Sequence, residues 1–456
     1  MSELNGQRVL VLGLGETGLS LARWFATQGA KIRVADSRMQ PPGLDTLRRD
    51  CPGAEICCGE FEESLLDNVA RIALSPGVPM MTPLVQRALA QGIPVEGDIE
   101  LLAQSGEKCE THVIAITGSN GKTTVTSMVG AMCRAAGLDA EVAGNISPAV
   151  LDVLLARKGR QPQVWVLELS SFQLETTYSL NADAATVLNV SEDHLDRYVG
   201  MDDYAAAKAR IFSGDGVQLL NRDDPLSLAM AQAGRQVVTF GLNPPEKAED
   251  WGVVREDGVV WLMQGAQKIM RADELPLAGL HNVANALAAL ALCRTLALPL
   301  APLLSALRQF RGLPHRVEAV AEIDGVMYYD DSKGTNVGAT VAALQGLERS
   351  SVVILGGDGK GQDFSPLKAA VAKHARAVIL IGRDAPLIAE ALRDSGVPLI
   401  YARGMEDAVR QAARFAERGD AVLLSPACAS FDMYRNYVHR AEVFVAAVHD
   451  LCKEAA

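Results

Sequence analysis

The run Ile116-Thr117-Gly118-Ser119-Asn120-Gly121-Lys122-Thr123-Thr124 has the residue types and spacing to hold phosphate. Backbone N–H groups at a helix start point outward, the helix dipole favours negative charge there, and Lys122 adds a cation. Thr123 supplies a hydroxyl where a phosphate-bound Mg²⁺ would sit. The flanking elements must be a strand and a helix. Val113 to Ile116 is a short apolar run that reads as a buried strand, and Val125 to Ala136 reads as the helix. Ile116 stands where the full eight-residue pattern has its first Gly, so the loop is a shortened G-x-x-G-K-T.

A second Gly turn, Gly13-Leu14-Gly15-Glu16-Thr17-Gly18, follows the strand Arg8 to Leu12 and precedes a helical segment, Leu19 to Gln28. The next strand, Lys31 to Ala35, ends at Asp36-Ser37-Arg38. Alone this is a dinucleotide fingerprint with an acid about 20 positions on that can take a ribose hydroxyl, and an NAD enzyme is the first candidate. The same turn serves any diphosphate, including that of a nucleotide-sugar. After Arg71 to Leu74, Ser75-Pro76-Gly77-Val78-Pro79 makes a turn where the second half of a dinucleotide fold would build, and the unit ends near Gly97-Asp98. A nucleotide-sugar site is the expectation.

The chain has 456 residues, too many for one core, and nearly half of them are hydrophobic. Its formal charge of −12 argues against nucleic acid or an anionic membrane surface as partner, so any phosphate must be held by local donors. The eight cysteines, Cys51, Cys57, Cys58, Cys109, Cys133, Cys293, Cys428 and Cys452, form no C-x-x-C pair and read as buried thiols of a reducing compartment. No signal peptide is read at the N-terminus. The most apolar region, Ala286 to Leu307, is broken by Arg294, Pro299 and Pro302 and does not span a membrane. A soluble cytoplasmic enzyme, working as a monomer, is expected.

In the second unit the strand Val164 to Leu169 carries Glu168 at its C-terminal end, where α/β sheets place ligands. Glu168 either holds Mg²⁺ opposite the phosphate loop or caps the Ser170-Ser171 turn. The strand Ala185 to Leu188 leads into Asn189-Val-Ser-Glu-Asp-His194-Leu-Asp-Arg197-Tyr198, a cluster suited to metal or phosphate, though a lone His is more often structural. Lys208, in a helical Tyr204 to Arg210 segment, reads from composition as a helix-surface cation. Val217 to Ala278 reads as a small β extension. Gly279-Leu-His281-Asn282-Val-Ala-Asn285 opens an apolar helix whose two Asn share a face, suited to a purine edge or to capping. In the third unit four strands, Val326 to Tyr329, Val352 to Leu355, Ala377 to Ile381 and Ala421 to Leu424, alternate with helices. They predict a parallel sheet covered on both faces, with polar residues gathered just after the strands.

Taken together these stretches resemble the Mur ligases of peptidoglycan assembly along essentially the whole chain. The resemblance is carried by Thr117 to Thr124, Glu168-Leu-Ser-Ser-Phe-Gln173, Asn189 to Tyr198, His281 to Asn285, Gly312-Leu-Pro-His-Arg316, Asp331-Ser-Lys-Gly-Thr-Asn336 and Gly356-Gly-Asp-Gly-Lys360. Ser425-Pro-Ala-Cys-Ala-Ser-Phe-Asp432 is specific to the D-glutamate-adding branch, and the Asp-Asn-Pro-Arg motif of the diamino-acid-adding relatives is absent. Ser147, where Gly is common, and Tyr437, where Phe is expected, depart from the pattern.

The resemblance implies an α/β chain of three domains: a Rossmann-like unit over residues 1–98 for a UDP-substrate, a P-loop ATPase-like unit over 99–312 and a Rossmann-like, parallel-sheet unit over 313–456 for the amino acid. It implies an ATP-dependent ligase joining D-glutamate to UDP-N-acetylmuramoyl-L-alanine. Gly118, Asn120, Gly121, Lys122, Thr123, Thr124, Asn282, Asn285, Arg316 and Asp331 would bind ATP. Thr123, Glu168, His194 and a carbamylated Lys208 would hold two Mg²⁺ ions, and Lys122, Glu168, His194 and Lys208 would form the catalytic set. Gly15, Glu16, Thr17, Ser37, Arg38, Ser75, Asn145 and His194 would contact the UDP-substrate, and Thr335, Lys360, Ser430 and Tyr437 would place D-glutamate.

Overall fold

A computed structural model describes residues 4–105, 111–194, 197–277, 279–347 and 349–455. Its strands fall into three sheets. Short apolar runs bounded by Gly turns build the first: β1 (Arg8–Leu12), β2 (Lys31–Asp36), β3 (Glu55–Cys58), β4 (Val69–Leu74) and β5 (Val95–Glu96), all parallel, in the order β3-β2-β1-β4-β5. The helix Glu16–Thr27 starts directly at Gly15, three residues earlier than the sequence predicts, and buries Leu21, Ala22 and Phe25.

The second sheet has nine strands: β6 (His112–Thr117), β7 (Ala140–Gly144), β8 (Val164–Glu168), β9 (Ala184–Val187), β10 (Val217–Asn221), β11 (Val237–Phe240), β12 (Trp251–Glu256), β13 (Val259–Gln264) and β14 (Gln267–Arg271). Their order is β14-β13-β12-β11-β10-β9-β6-β8-β7, with β6 between β9 and β8. The phosphate loop, Glu168 and Asn189 therefore leave neighbouring strands on one edge, as open parallel sheets arrange their ligands. The β extension expected over Val217 to Ala278 divides in two: β10 and β11 continue the parallel sheet, and β12-β13-β14 follow as an antiparallel run. The helix Lys122–Ala135 packs with Leu280–Thr295 on one face. On the other face the first and second units share one continuous core, Leu21 and Phe25 lying in the same cluster as Leu151 and Trp165.

The third sheet comprises β15 (Glu318–Ile323), β16 (Val326–Asp330), β17 (Ser351–Gly356), β18 (Ala375–Ile381), β19 (Leu399–Tyr401) and β20 (Ala421–Leu424), in the order β15-β16-β20-β17-β18-β19. Helices cover both faces. It is not wholly parallel, because β15 pairs antiparallel with β16 through a turn in which Asp324 and Gly325 both have positive φ. Asp-Gly favours a tight hairpin of this kind, and that signal was present in the sequence.

Cys51, Cys133, Cys293 and Cys428 are buried as expected, whereas Cys57, Cys58 and Cys452 are only half-buried. Cys109 lies outside the described residues. None of the described helices is long and apolar enough to cross a membrane.

Asp98 fastens the first unit to the second. It is fully buried at the start of the helix Asp98–Ser105 and accepts from Gln173 Nε2 at 3.1 Å. Burial pushes its carboxyl up to about 6, against the hydrogen bond from Gln173. An unfolded Asp titrates at about 4, so between pH 4 and pH 6 the folded chain binds more protons and Asp98 lowers stability as pH rises. Asp98→Asn is expected to gain about 2 kcal/mol on the wild type across that window in urea unfolding at stepped pH. A difference that does not change with pH contradicts this.

Candidate functional site

The phosphate loop is shaped by close backbone approaches. Gly121 has φ +84°, and an added Cβ there would lie 2.6 Å from Asn285 Oδ1. Asn189 clamps the Asn120 peptide from both sides, its Oδ1 accepting from Asn120 N at 2.8 Å and its Nδ2 donating to Asn120 O at 3.0 Å. Ser119 Oγ accepts from Ser191 N at 3.0 Å. These bonds turn the loop so that Lys122 Nζ donates to Gly118 O at 2.9 Å.

Lys208 Nζ donates to the same oxygen at 3.0 Å. Its reading as a surface cation is overturned: Lys208 is 1% exposed, and its ammonium lies 4.4 Å from the centre of the Tyr204 ring. Burial, reinforced by the charge of Lys122, moves its pKa well down, against the pull of Asp193. Burial also lowers Lys122. The small side chains of Ala205 and Ala207 are buried beside it on the packed side of this helix, a placement that composition alone does not reveal.

Glu168 ends β8 beside the loop. It is 2% exposed, its Oε1 accepts from Asn145 Nδ2 at 3.0 Å, and its Oε2 has no hydrogen-bond partner among the described residues. It does not cap the following turn; Ser170 and Gln173 do so by a reciprocal capping box. A buried carboxylate oxygen left open in this way suits a cation. His194 sits at φ +57°, its ring edge-on to Phe172 with centroids 4.8 Å apart and its Nε2 3.6 Å from Asp193 Oδ2.

Two cavities flank this seam. One, of about 330 Å³, lies between the second and third sheets. Of the residues expected at ATP, Asn120, Gly121, Thr124, Asn282, Asn285, Arg316 and Asp331 line it, and Lys333 and His281 join them. Gly118, Lys122 and Thr123 do not line it, but the lining residue Arg316 reaches Thr123, its Nη2 donating to Oγ1 at 2.8 Å. Asn285 donates to Asn282 at 3.3 Å, and the helix they open has no side-chain cap at Gly279, so they face the cavity rather than cap. Burial dominates the titration here, raising Asp331 to about 7 and lowering Lys333 to about 8 and His281 to about 4.

The other cavity, of about 460 Å³, lies over the first Gly turn. Gly15, Glu16, Thr17, Ser37, Arg38, Ser75 and Asn145 all line it; His194, expected at the same ligand, does not. Ser147 turns out to bridge the units, its Oγ donating to Glu16 Oε1 at 2.6 Å. Asp36, read as a ribose acceptor, is engaged otherwise: it accepts from Leu14 N at 2.7 Å and from Arg38 Nε and Nη2 at 2.8 and 2.7 Å. Burial opposes its ionisation, but those hydrogen bonds prevail and hold it at about 2. Its carboxylate braces the Gly turn, which weakens the dinucleotide reading.

The residues expected at D-glutamate line neither cavity. Thr335, Lys360 and Ser430 follow β16, β17 and β20, three neighbouring strands, so they share one sheet edge. Lys360 Nζ lies 3.3 Å from Asp193 Oδ1, and buried Ser430 Oγ has no partner among the described residues. Tyr437 opens the last helix, its carbonyl accepting from Ser332 Oγ at 2.8 Å and its ring 3.9 Å from Lys333 Nζ. Sequence reasoning missed Lys333, Asn189 and Ser147 as parts of the site; the first two stood in the quoted motifs.

Comparison with known proteins covers the whole chain. Residues 7–97 match the profile "Mur ligase MurD-like, N-terminal domain", 116–293 "Mur ligase middle domain" and 315–428 "Mur ligase, glutamate ligase domain". A protein of Nitrosospira multiformis named UDP-N-acetylmuramoylalanine--D-glutamate ligase is 60% identical over 98% of this chain and 96% of its own. One of the same name from Methylobacillus flagellatus is 59% identical over 100% and 99%. Among solved structures, the UDP-N-acetylmuramate-alanine ligase of Thermotoga maritima has a TM-score of 0.61 at 19% identity, covering 97% of this chain and 99% of its own. MurF of Acinetobacter baumannii has a TM-score of 0.62 at 17% identity, covering 99% and 92%; at these identities the likeness is one of fold.

Gly144 holds Asn145 against Glu168. It has φ +111°, and an added Cβ would stand 2.2 Å from the Glu168 carbonyl oxygen. Gly144→Ala is expected to cost on the order of 2–4 kcal/mol, read as a drop in the urea midpoint. An unchanged midpoint contradicts the close approach.

Proposed function

The chain belongs to the Mur ligase family, and from that premise we propose that it joins D-glutamate to the L-alanyl carboxylate of UDP-N-acetylmuramoyl-L-alanine at the expense of ATP. The observation that carries the reading is the placement of two cavities on either side of the seam formed by Lys122, Lys208 and Glu168. In this reading residues 1–98 hold the UDP half, 99–312 the ATP and 313–456 the amino acid. The reaction belongs to peptidoglycan precursor synthesis and is assigned to the cytoplasm.

A carboxylate does not acylate an amine unaided. The γ-phosphoryl group of ATP moves to the L-alanyl carboxylate, giving an acyl phosphate and ADP. The amine of D-glutamate attacks the acyl carbon, the C–O bond to phosphate breaks, and the amine gives up its proton as the amide forms. Lys122, Arg316 and Lys333 offset the charge of the phosphate chain. Burial lowers the protonation of both Arg316 and Lys333, and at Lys333 the charges of Arg316, Lys122 and Lys360 add to it, a repulsion that a polyanion among them relieves. Glu168, with its open Oε2, fits a cation, and Thr123, His194 and Lys208 are the partners assigned to it. Mg²⁺ bound there supplies positive charge to the transferring phosphoryl oxygens.

For Lys208 to be an anionic ligand it must be carbamylated. Its burial favours the neutral amine, whose lone pair adds to CO₂ and whose lost proton goes to solvent, leaving a carbamate. Isotope-labelled bicarbonate should give a carbamate carbon signal in the wild type and none in Lys208→Ala; a signal of equal strength in both rejects the assignment.

Phosphate release from ATP in the presence of UDP-N-acetylmuramoyl-L-alanine should require D-glutamate and not respond to L-glutamate. Release independent of D-glutamate rejects the proposed function. Lys122→Ala should abolish turnover, and a wild-type rate in that variant removes the phosphate-loop reading.

A further inference from the structure

Asn336 joins the third unit to the phosphate loop of the second. It is 4% exposed and caps the helix Val337–Gly346, its Oδ1 accepting from Ala339 N at 2.9 Å. A cap uses only that oxygen. The amide nitrogen points the other way and donates to Asn120 Oδ1 at 3.0 Å, while Asn120 Nδ2 lies 3.3 Å from Asn336 Oδ1. The same nitrogen is 3.5 Å from Asp193 Oδ2, whose other oxygen faces Lys360. One buried side chain thus fixes the start of a third-unit helix and, through two reciprocal amide bonds, its position on the loop that handles phosphate.

Most residues at an N-cap of this kind are interchangeable, because Ser, Asp and Asn all accept from the helix N–H. Asp presents no donor when ionised and the Ser hydroxyl is too short to span to Asn120, whereas Asn adds an amide N–H beside its accepting oxygen. The use of Asn at a buried cap facing the half-buried amide of Asn120 is explained by the second bond and not by the first.

We propose that Asn336 is a positioning residue that registers the amino-acid-bearing unit on the phosphate loop, so that the amine meets the acyl phosphate before water does. The proposal rests on the ligase reading given above. Without the register, water attacks the acyl carbon, phosphate leaves and the carboxylate is regenerated, so ATP is consumed without amide formation.

Two substitutions separate this role from simple capping. Asn336→Ser keeps an acceptor for Ala339 N but cannot reach Asn120. Asn336→Asp keeps the acceptor, loses the donor and sets a carboxylate opposite Asp193. Thermal midpoint, KM for D-glutamate and the ratio of phosphate released to amide formed are measured on each full-length chain. The expected result is a midpoint close to the wild type for Asn336→Ser, KM for D-glutamate raised at least about tenfold and a phosphate-to-amide ratio raised about threefold or more, with Asn336→Asp worse than Asn336→Ser. If both variants keep the wild-type KM and ratio, Asn336 is a helix cap and the proposal is overturned. The wild type assayed alongside keeps the two readings apart: failure to require D-glutamate there rejects the ligase itself.

Discussion

Two lysine ammonium groups donate to one carbonyl oxygen, that of Gly118. Holding cations inside a protein is costly: burial lowers the protonation of both, reinforced at Lys208 by the charge of Lys122 and at Lys122 by the charges of Arg316 and Lys360. The chain carries a formal charge of −12, so this local excess of cations is built against the global balance. Asp193 and Glu168 offset part of it. The rest of the site is arranged around that point: Asn189 fixes the loop, Arg316 reaches Thr123 from the third unit, and Asn145 orients Glu168 from the side of the first Gly turn.

The three sheets serve this seam in different ways. The first and second share a continuous apolar core, crossed by the contacts of buried Asp98 with Gln173 and of Ser147 with Glu16, so the cavity over the Gly13 to Gly18 turn is bound firmly to the phosphate loop. The third sheet reaches the loop through polar contacts: Arg316 on Thr123, Asn336 on Asn120 and Lys360 on Asp193. Polar contacts of this kind exchange with water at small net free energy. A firm pairing of two nucleotide-sized cavities with a more readily released third unit suits a reaction whose intermediate must be shielded and whose product must leave.

Much of this was legible in the sequence because it depends on local chemistry. Gly turns after apolar runs located the edges of all three sheets, and Asn282 with Asn285 shared a face as their spacing required. Asp324-Gly325 signalled the β15–β16 hairpin and went unread. Other features depend on tertiary placement and left no local trace. Lys208 looks like any helix lysine until its helix is packed over the phosphate loop. Asp36 fits a ribose acceptor by position, yet Arg38 two residues on takes its carboxylate. Ser147, a departure from the family pattern, gains its meaning only when Glu16 is brought opposite it. The family resemblance supplied roles that spacing could not, and the two cavities gather most, though not all, of the residues it named.

The central claim is that the carboxylate of the UDP-linked substrate takes the γ-phosphoryl group before the amine attacks. Heavy-oxygen labelling of that carboxylate tests it most directly, with the released phosphate and the amide product both examined by mass spectrometry. The account predicts that one labelled oxygen passes into inorganic phosphate and the other stays in the amide carbonyl. Phosphate without label, formed at the same rate as the amide, would contradict it.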